Sequence, residues 1–158
     1  MKELIDKLQN EGFKGFMTVG QLMANTKVVN EGRGVYLVLY AGEDTPQFLA
    51  KGTGGRFKDK DPNVGIPELE ANWICGEHVV YIGKGNDLSK RLSQYMRFGQ
   101  GNKVGHWGGR FIWQLKDSKD LIVCWKPTDE DPRVVESNMI QDFKESHQGR
   151  RPFANLQD

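Results

Sequence analysis

Residues 79–97 read VVYIGKGNDLSKRLSQYMR, in which a β-branched and aromatic run is followed by a polar turn and an amphipathic stretch. The run from His78 to Gly83 predicts a buried strand, because such residues fit a pleated, half-buried surface. Asp87 is a predicted N-cap for a helix over residues 88–97. One face of that helix carries Leu88, Leu92, Tyr95 and Met96. The stretch therefore predicts a strand–turn–helix unit.

The sequence on either side of this unit predicts further short elements. Strands are predicted over residues 33–40 (RGVYLVLY), 110–115 and 121–126, with residues 48–50 as a candidate short partner strand. Helices are predicted over residues 2–10, 18–25 and 132–146, the last starting after Asp131 and capped by Gly149. This order predicts an α+β or layered α/β fold, with a small mixed or antiparallel sheet flanked by helices.

The predicted elements divide the chain into two parts. Residues 1–30 form an expected N-terminal helical extension, and residues 31–158 form the main domain, in which residues 41–77 are an insert or loop between two strands. Four glycines and two prolines at 51–67 predict a long exposed loop. A loop of this length inside a compact domain is usually either functional or mobile.

Composition excludes several classes of protein. The chain has 158 residues, about one domain, and no apolar run approaches the ~20 residues that span a bilayer. Cys75 and Cys124 form no CxxC pair and the three histidines are scattered, so a zinc site is not expected. We expect a cytoplasmic protein with two reduced, buried thiols and no membrane segment.

The net charge of +1 conceals an uneven distribution of charge along the chain. Residues 76–116 carry seven basic and two acidic side chains, a net charge of +5, whereas residues 1–75 and 117–158 carry −1 and −3. A basic middle segment suits a polyanion that docks at one face, and it equally suits a solvated helix surface.

Two charged residues fall on predicted core-facing helix stripes. Glu136 lies within the apolar stripe of the last helix, where a carboxylate is costly unless a cation meets it, so it is either a structural ion-pair or rim residue or a functional group. Arg91 lies among apolar residues of its helix, and its guanidinium either pairs with Glu136 or holds a phosphate. Tyr36 and Tyr81 are strand aromatics, which taken alone indicate core packing.

Taken together, these residues form an ordered set. The chain contains Gly34-Val35-Tyr36, then Val80-Tyr81-Ile82-Gly83, then Arg91, Glu136 and Asn155. This order, with its strand–strand–helix spacing, resembles the GIY-YIG nuclease family. The stretch at 79–97 is most similar to the N-terminal nuclease module of the incision subunit in bacterial nucleotide-excision repair. The similarity includes Lys84 after the motif glycine and Tyr95 four residues beyond the arginine, where many members carry histidine.

The resemblance covers residues 34–40 and 78–158, and it extends to the tail, where Pro152 and Asn155 match the family's Pro-x-x-Asn ending. The chain departs from the family at residues 41–77, where members usually have a short hairpin, and at residues 1–30, which have no counterpart. These departures leave the expected chemistry intact and bear on the choice of substrate.

The resemblance implies a GIY-YIG endonuclease fold and a metal-dependent endonuclease that hydrolyses phosphodiester bonds in DNA. Glu136 would be the only protein ligand of one Mg²⁺ or Mn²⁺ ion, and Arg91 would clamp the phosphate. One of Tyr36 and Tyr81 would accept the proton of water, directly or through a network with Lys84. A free tyrosine has a pKa of ~10, so this role requires Lys84, Arg91 and the metal to favour the phenolate.

The remaining family positions have supporting roles by the same resemblance. Tyr95 would lie against the phosphate or the water of the metal, and Asn155 would orient the site through hydrogen bonds. Gly34 and Gly83 would support the site, Gly83 by letting the backbone approach Tyr81 and the helix start.

Several basic residues are candidates for contact with nucleic acid. They are Lys51, Arg56, Lys58, Lys90, Arg97, Lys103 and Arg110. The loop at 51–60 either grips a nucleic-acid backbone or is a flexible hairpin tip. The stretch at 99–113, which includes His106, either stacks on bases or buries its tryptophans, and burial is expected for Trp113. The competing function is a catalytically inactive nucleic-acid-binding module or a subunit of a DNA repair or processing complex.

Overall fold

The structure, a computed structural model, describes residues 1–158 and contains five α-helices and four β-strands. The helices are α1 (Lys2–Asn10), α2 (Val19–Ala24), α3 (Ile66–Asn72), α4 (Leu88–Gly99) and α5 (Pro132–Ser146). The strands are β1 (Lys14–Thr18), β2 (Gly34–Leu39), β3 (Val79–Gly85) and β4 (Ile122–Pro127). Short 3₁₀ helices span Thr26–Val28, Arg110–Gln114 and Ser118–Asp120.

The four strands form one antiparallel sheet in the order β1–β4–β2–β3. Tyr36 on β2 lies opposite Gly83 on β3 and Trp125 on β4. The two strands that carry the tyrosine motifs are therefore direct neighbours. The predicted α+β class is confirmed, with helices packed on a small antiparallel sheet.

The sheet separates two apolar layers, because successive side chains of a strand point to opposite faces. Tyr36 and Val38 enter a cluster of 23 buried residues that includes one face of α4. Val35 and Leu37 enter a cluster of 8 buried residues that includes Ile140 of α5. The helix that carries Arg91 and the helix that carries Glu136 thus approach the sheet from opposite faces.

Predicted capping residues fix the starts of both helices. The side chain of Asp87 accepts a hydrogen bond from the backbone N–H of Lys90, and that of Asp131 accepts one from Arg133. Gly149, at φ +81°, donates its N–H to the carbonyl of Lys144 just before α5 ends. Local sequence therefore sets where α4 and α5 begin and end.

The sequence predicted a helical N-terminal region, but in the structure this region also supplies the edge strand β1. Residues Lys14–Thr18 pair with β4, with a register shift between Gly15 and Met17. Gly15, at φ +99°, faces the ring of Trp125 so closely that a Cβ atom would collide with it. This bulge breaks the alternation that identifies a strand in sequence.

The strand predicted over residues 110–115 is wrong, because Arg110–Gln114 forms a 3₁₀ helix instead. Phe111 to Gln114 are all buried, so the run has no exposed face whose spacing would distinguish a helix from a strand. A short apolar run cannot be assigned to strand or buried helix by periodicity alone. Residues 48–50 contribute only one isolated bridge, between Phe48 and Leu115.

The insert at residues 41–77 is tied to the domain and includes the helix α3, which the sequence did not predict. The buried side chain of Gln114 accepts a hydrogen bond from the N–H of Val64 and donates to the carbonyls of Leu49 and Val64, at 2.9 to 3.0 Å. The N–H of Gly55 also donates to the carbonyl of Phe98 at 2.8 Å. The Gln114 side chain and the end of α4 thus anchor several backbone groups of the insert.

Two expectations from composition can be compared with the structure. No helix of the chain has both the length and the apolar character needed to cross a membrane. Cys124 is buried as expected, whereas Cys75 is exposed, so the expectation of two buried thiols is wrong for Cys75.

Candidate functional site

Three tyrosines from three elements pack together beside the β2–β3 pair. The ring centroid of Tyr36 lies 6.0 Å from that of Tyr81 and 6.1 Å from that of Tyr95, and the last two are 5.6 Å apart. Tyr36 and Tyr95 have no exposed surface, whereas Tyr81 keeps 7% of its surface accessible. Of the two candidate bases, Tyr81 is therefore the one nearer to solvent.

Glycines make room for this cluster. Gly83 lies opposite Tyr36 in the β2–β3 register, and a Cβ atom at Gly83 would collide with the Tyr36 ring. The residue that Gly83 accommodates is therefore Tyr36, not Tyr81 as the sequence predicted. Gly34 has a different role, since a Cβ atom there would meet the carbonyl of Lys126 on β4.

His106 completes the aromatic cluster, and sequence reasoning missed this role. Its ring stacks on Tyr95 with centroids 3.6 Å apart and an interplanar angle of 6°. Its Nε2 lies 2.5 Å from the Tyr36 hydroxyl oxygen, and the residue is fully buried. The two partners of His106 are brought to it by the tertiary fold, so the only signal in the sequence was a histidine within a glycine-rich stretch.

Arg91 lies half-buried at the border of the cluster and is held by the loop that carries His106. Its guanidinium donates to the carbonyl of Gly105 at 2.7 Å and to the side chain of Gln94 at 3.4 Å. Burial raises the pKa of Tyr36, Tyr81 and Glu136, and the positive charge of Arg91 opposes that rise in each. The guanidinium is therefore within electrostatic reach of all three.

Glu136 reaches the same region from the other face of the sheet. Its Oε1 lies 3.4 Å from the ammonium group of Lys84, with side chains 15% and 42% exposed respectively. Burial raises the pKa of Glu136, while the charge and hydrogen bond of Lys84 and the charge of Arg91 oppose that rise. The cation that contacts this carboxylate is thus Lys84 near the end of β3. The alternative pairing of Arg91 with Glu136 is not formed, and Arg91 acts on the carboxylate at longer range.

Asn155 supports the strand that carries Tyr81. Its side chain accepts from the N–H of Ile82 and donates to the carbonyl of the same residue, both at 2.9 Å. The N–H of Ala154 also donates to the carbonyl of Val80 at 2.8 Å. The C-terminal tail therefore acts as a short partner for the outer edge of β3, and Asn155 has the orienting geometry predicted for it.

The tyrosine hydroxyls are harder to ionise than the sequence predicted. Burial raises the pKa of Tyr81 to about 12, helped by the charge of Glu136 and opposed by Arg91 and by a hydrogen bond from Tyr36. Burial also raises the pKa of Tyr36 well above its usual value. The role expected for a tyrosine base required Lys84, Arg91 and a metal ion together to favour the phenolate. In the protein alone Arg91 favours it, and desolvation outweighs this charge.

The role predicted for Tyr95 is also corrected. Its hydroxyl donates to the carbonyl of Gly109 at 2.7 Å, and the residue is fully buried. A Cβ atom at Gly109 would collide with that hydroxyl. Tyr95 therefore supports the loop that carries His106, and its hydroxyl proton is already used by a backbone carbonyl.

Glu136 is the candidate metal ligand. No group of three or more His, Cys, Asp or Glu side chains is placed to hold a metal ion. A single carboxylate suits Mg²⁺, which keeps most of its waters and binds proteins through one or two carboxylates. The donor set therefore fits a hydrated Mg²⁺ or Mn²⁺ ion and fits zinc poorly.

Six of the seven basic residues predicted to contact nucleic acid have exposed side chains. They are Lys51, Arg56, Lys58, Lys90, Arg97 and Lys103. Arg110 differs, because it is half-buried with its guanidinium 4.4 Å from the centre of the Trp107 ring. Trp113 is buried in the core, as predicted.

The insert reaches the border of the site. A Cβ atom on Gly105 would lie 3.4 Å from the ring of Phe57, and the carbonyl of Gly105 is the acceptor for Arg91. The basic residues Arg56 and Lys58 flank that phenylalanine. The two cations are therefore sequence neighbours of the residue through which the insert approaches the loop that holds Arg91.

The arrangement combines a fork-shaped cation, a carboxylate beside an ammonium group, and a phenol that touches solvent. Comparisons of the chain with protein-family models, with curated proteins and with solved structures found no match. The chemistry of these side chains and their placement are therefore the guide to function.

Proposed function

We propose that the protein is a metal-dependent endonuclease of the GIY-YIG type that hydrolyses phosphodiester bonds in DNA. The observation that carries the proposal is that Arg91 on α4 and Glu136 on α5 both act electrostatically on Tyr81 of β3, although the two helices pack on opposite faces of the sheet. Glu136 also pairs with Lys84 near the end of the same strand. A structural ion pair alone would not need a phenol within the electrostatic reach of both the guanidinium and the carboxylate. The adjacent antiparallel motif strands, followed by the arginine-bearing helix, support the family assignment.

Each side chain has a role that its position allows. Arg91 binds two oxygens of the scissile phosphate with its planar fork and stabilises charge that develops there. Glu136 holds one divalent ion, which when bound supplies positive charge to the phosphate and lowers the pKa of water. Lys84 opposes the rise that burial produces in the pKa of Glu136. Tyr81 accepts the proton of the attacking water, and Tyr36 packs against it with ring centroids 6.0 Å apart.

The exposed cations extend this site into a binding surface. Lys90 and Arg97 lie on α4, Lys103 lies on the loop that follows, and Arg56 and Lys58 lie on the insert that contacts that loop. Phosphate contacts from lysine and arginine position a nucleic acid without reading its sequence. The insert would then determine which form of DNA is accepted.

One observation favours the second candidate, a catalytically inactive nucleic-acid-binding module. The pKa of Tyr81 is raised to about 12, so little phenolate forms at neutral pH in the protein alone. The nuclease proposal therefore requires bound metal and phosphate to bring that pKa down.

The test uses the purified chain with supercoiled plasmid, linear duplex, branched duplex and RNA, each with Mg²⁺, Mn²⁺ or a chelator. We expect nicking of DNA with either metal and none with the chelator. Arg91→Ala purified in parallel controls for contaminating nucleases. Binding without cleavage of any substrate would overturn the nuclease proposal in favour of the inactive module.

A further inference from the structure

His106 is a buried histidine with two aromatic partners and no acidic one. It stacks on Tyr95, and its Nε2 lies 2.5 Å from the Tyr36 hydroxyl. Its Nδ1 is buried and has no hydrogen-bond partner. The histidine therefore has one polar contact, and that contact is with a residue of the candidate site.

The imidazole is neutral. Burial, with the nearby charge of Arg91, holds the pKa of His106 well below its usual value. No carboxylate contacts the ring to stabilise an imidazolium. One ring nitrogen therefore carries a proton and the other carries a lone pair.

The surroundings decide which nitrogen carries the proton. A proton on Nδ1 would leave a buried N–H with no acceptor, and orphaned buried donors are rarer than under-satisfied acceptors. A neutral ring with no proton on Nδ1 carries its proton on Nε2. The short contact between His106 and Tyr36 must then use a proton on Nε2, with the Tyr36 oxygen as acceptor.

We propose that His106 is a positioning residue that donates from Nε2 to the Tyr36 hydroxyl oxygen and so frees the Tyr36 proton for donation to Tyr81, whose ring centroid lies 6.0 Å from that of Tyr36. The catalytic meaning of this chain rests on the proposed nuclease function. Because Tyr81 accepts the hydrogen bond, its phenolate is stabilised when it takes the proton of water. His106 itself gains and loses no proton.

The loop that holds His106 also links the His106–Tyr36 hydrogen bond to Arg91, the proposed phosphate-binding residue. The carbonyl of Gly105 accepts from Arg91 at 2.7 Å, and the carbonyl of Gly109 accepts from Tyr95 at 2.7 Å. The N–H of His106 donates to the carbonyl of Val104 at 3.1 Å, which closes a tight turn at this point. One short segment therefore sets the positions of the guanidinium and of the tyrosine pair.

The proton position can be measured without nucleic acid or metal. In ¹⁵N-labelled wild-type protein, two-bond imidazole correlation spectra distinguish a protonated ring nitrogen from an unprotonated one. His106→Gln identifies the His106 signals by their loss. We expect Nε2 protonated and Nδ1 unprotonated at neutral pH. A proton on Nδ1, or a doubly protonated ring, would overturn the proposal.

Two substitutions test the effect on catalysis. His106→Phe keeps an aromatic ring against Tyr95 but has no donor, whereas His106→Gln places an amide N–H near the position of Nε2. We expect His106→Phe to lower kcat on the order of tenfold to a hundredfold with little change in KM, and His106→Gln to recover part of the loss. Equal kcat values for the two variants would overturn the positioning role. If wild type cleaves nothing, the nuclease proposal fails, and the nitrogen spectra still decide the inference.

Discussion

The ammonium group of Lys84 lies 3.4 Å from Oε1 of Glu136, across the gap between the end of β3 and the first turns of α5. Burial alone raises the pKa of that carboxyl, and Lys84 supplies the largest opposing effect. A carboxylate that is to hold a hydrated divalent ion has to be ionised without being fully enclosed. The lysine meets both needs, because it is itself partly exposed.

Replacing Lys84 by methionine is expected to raise the pKa of Glu136, because the variant removes the nearest positive charge and leaves the burial. The carboxyl carbon signal of Glu136, followed by ¹³C NMR in metal-free protein, should then move to a higher midpoint pH than in wild type. Lys7→Met, an exposed lysine on α1, is the matched control and should leave the midpoint unchanged. An unaltered Glu136 midpoint in Lys84→Met would remove Lys84 from this role.

Arg91→Ala is expected to lower the turnover number by about a hundredfold to a thousandfold, equivalent to ~3–4 kcal/mol of lost charge stabilisation. Arg97→Ala, on the exposed face of the same helix, should instead weaken DNA binding and change turnover little. Single-turnover rates at saturating protein separate the two effects. A loss of less than about threefold in Arg91→Ala would make the arginine a structural residue.

The buried tyrosines predict a loss of stability in alkali. The pKa of Tyr81 is raised to about 12 in the folded protein, so between its unfolded value of 10.0 and about 12 the unfolded state loses the proton first. The free energy of unfolding should be insensitive to this group below pH ~10 and should fall above it, by roughly 1.4 kcal/mol per pH unit.

Urea titrations at neutral pH and near pH ~11 measure this fall in stability. Tyr81→Phe should have a small effect on stability at neutral pH, and it should make the fall in stability above pH ~10 less steep. An unfolding free energy that stays constant up to pH ~11 in wild type would show that the tyrosine cluster is not buried as described.

Gln114→Leu is expected to destabilise the protein by about 2–4 kcal/mol, because three backbone groups of the insert lose their partner. Limited proteolysis should then cut within residues 51–64 faster than in wild type. Gln9→Leu, an exposed glutamine on α1, is the matched control. Equal proteolysis of the two variants would mean that the insert is held by other contacts.

The elements with strong local signals were predictable from the sequence. The strands β2 and β3 are continuous apolar runs bounded by glycine, and α4 and α5 have capping side chains and clear apolar stripes. Glu136 was identified because a carboxylate interrupts such a stripe. These features can be predicted because the environment of each residue follows from neighbours three or four positions away.

The remaining features of the fold and of the candidate site depend on long-range contacts that cannot be predicted from the local sequence. The strand β1 is hidden by its bulge at Gly15, and the buried run at 110–114 has no polar face. His106 contacts Tyr36, 70 positions away, and Gln114 contacts Leu49, 65 positions away. Burial of the tyrosine hydroxyls, which raises the pKa of Tyr36 and Tyr81, likewise appears only once the layers are assembled.

The most direct measurement of the central claim is single-turnover nicking of supercoiled plasmid by Glu136→Gln and by its control Glu145→Gln, an exposed glutamate on the same helix. The account predicts that Glu136→Gln loses at least about a hundredfold in rate with Mg²⁺ or Mn²⁺ while its affinity for DNA stays near that of wild type. Glu145→Gln should nick like wild type. Nicking by Glu136→Gln at the wild-type rate would contradict the account, because the carboxylate beside Lys84 would then have no part in the reaction.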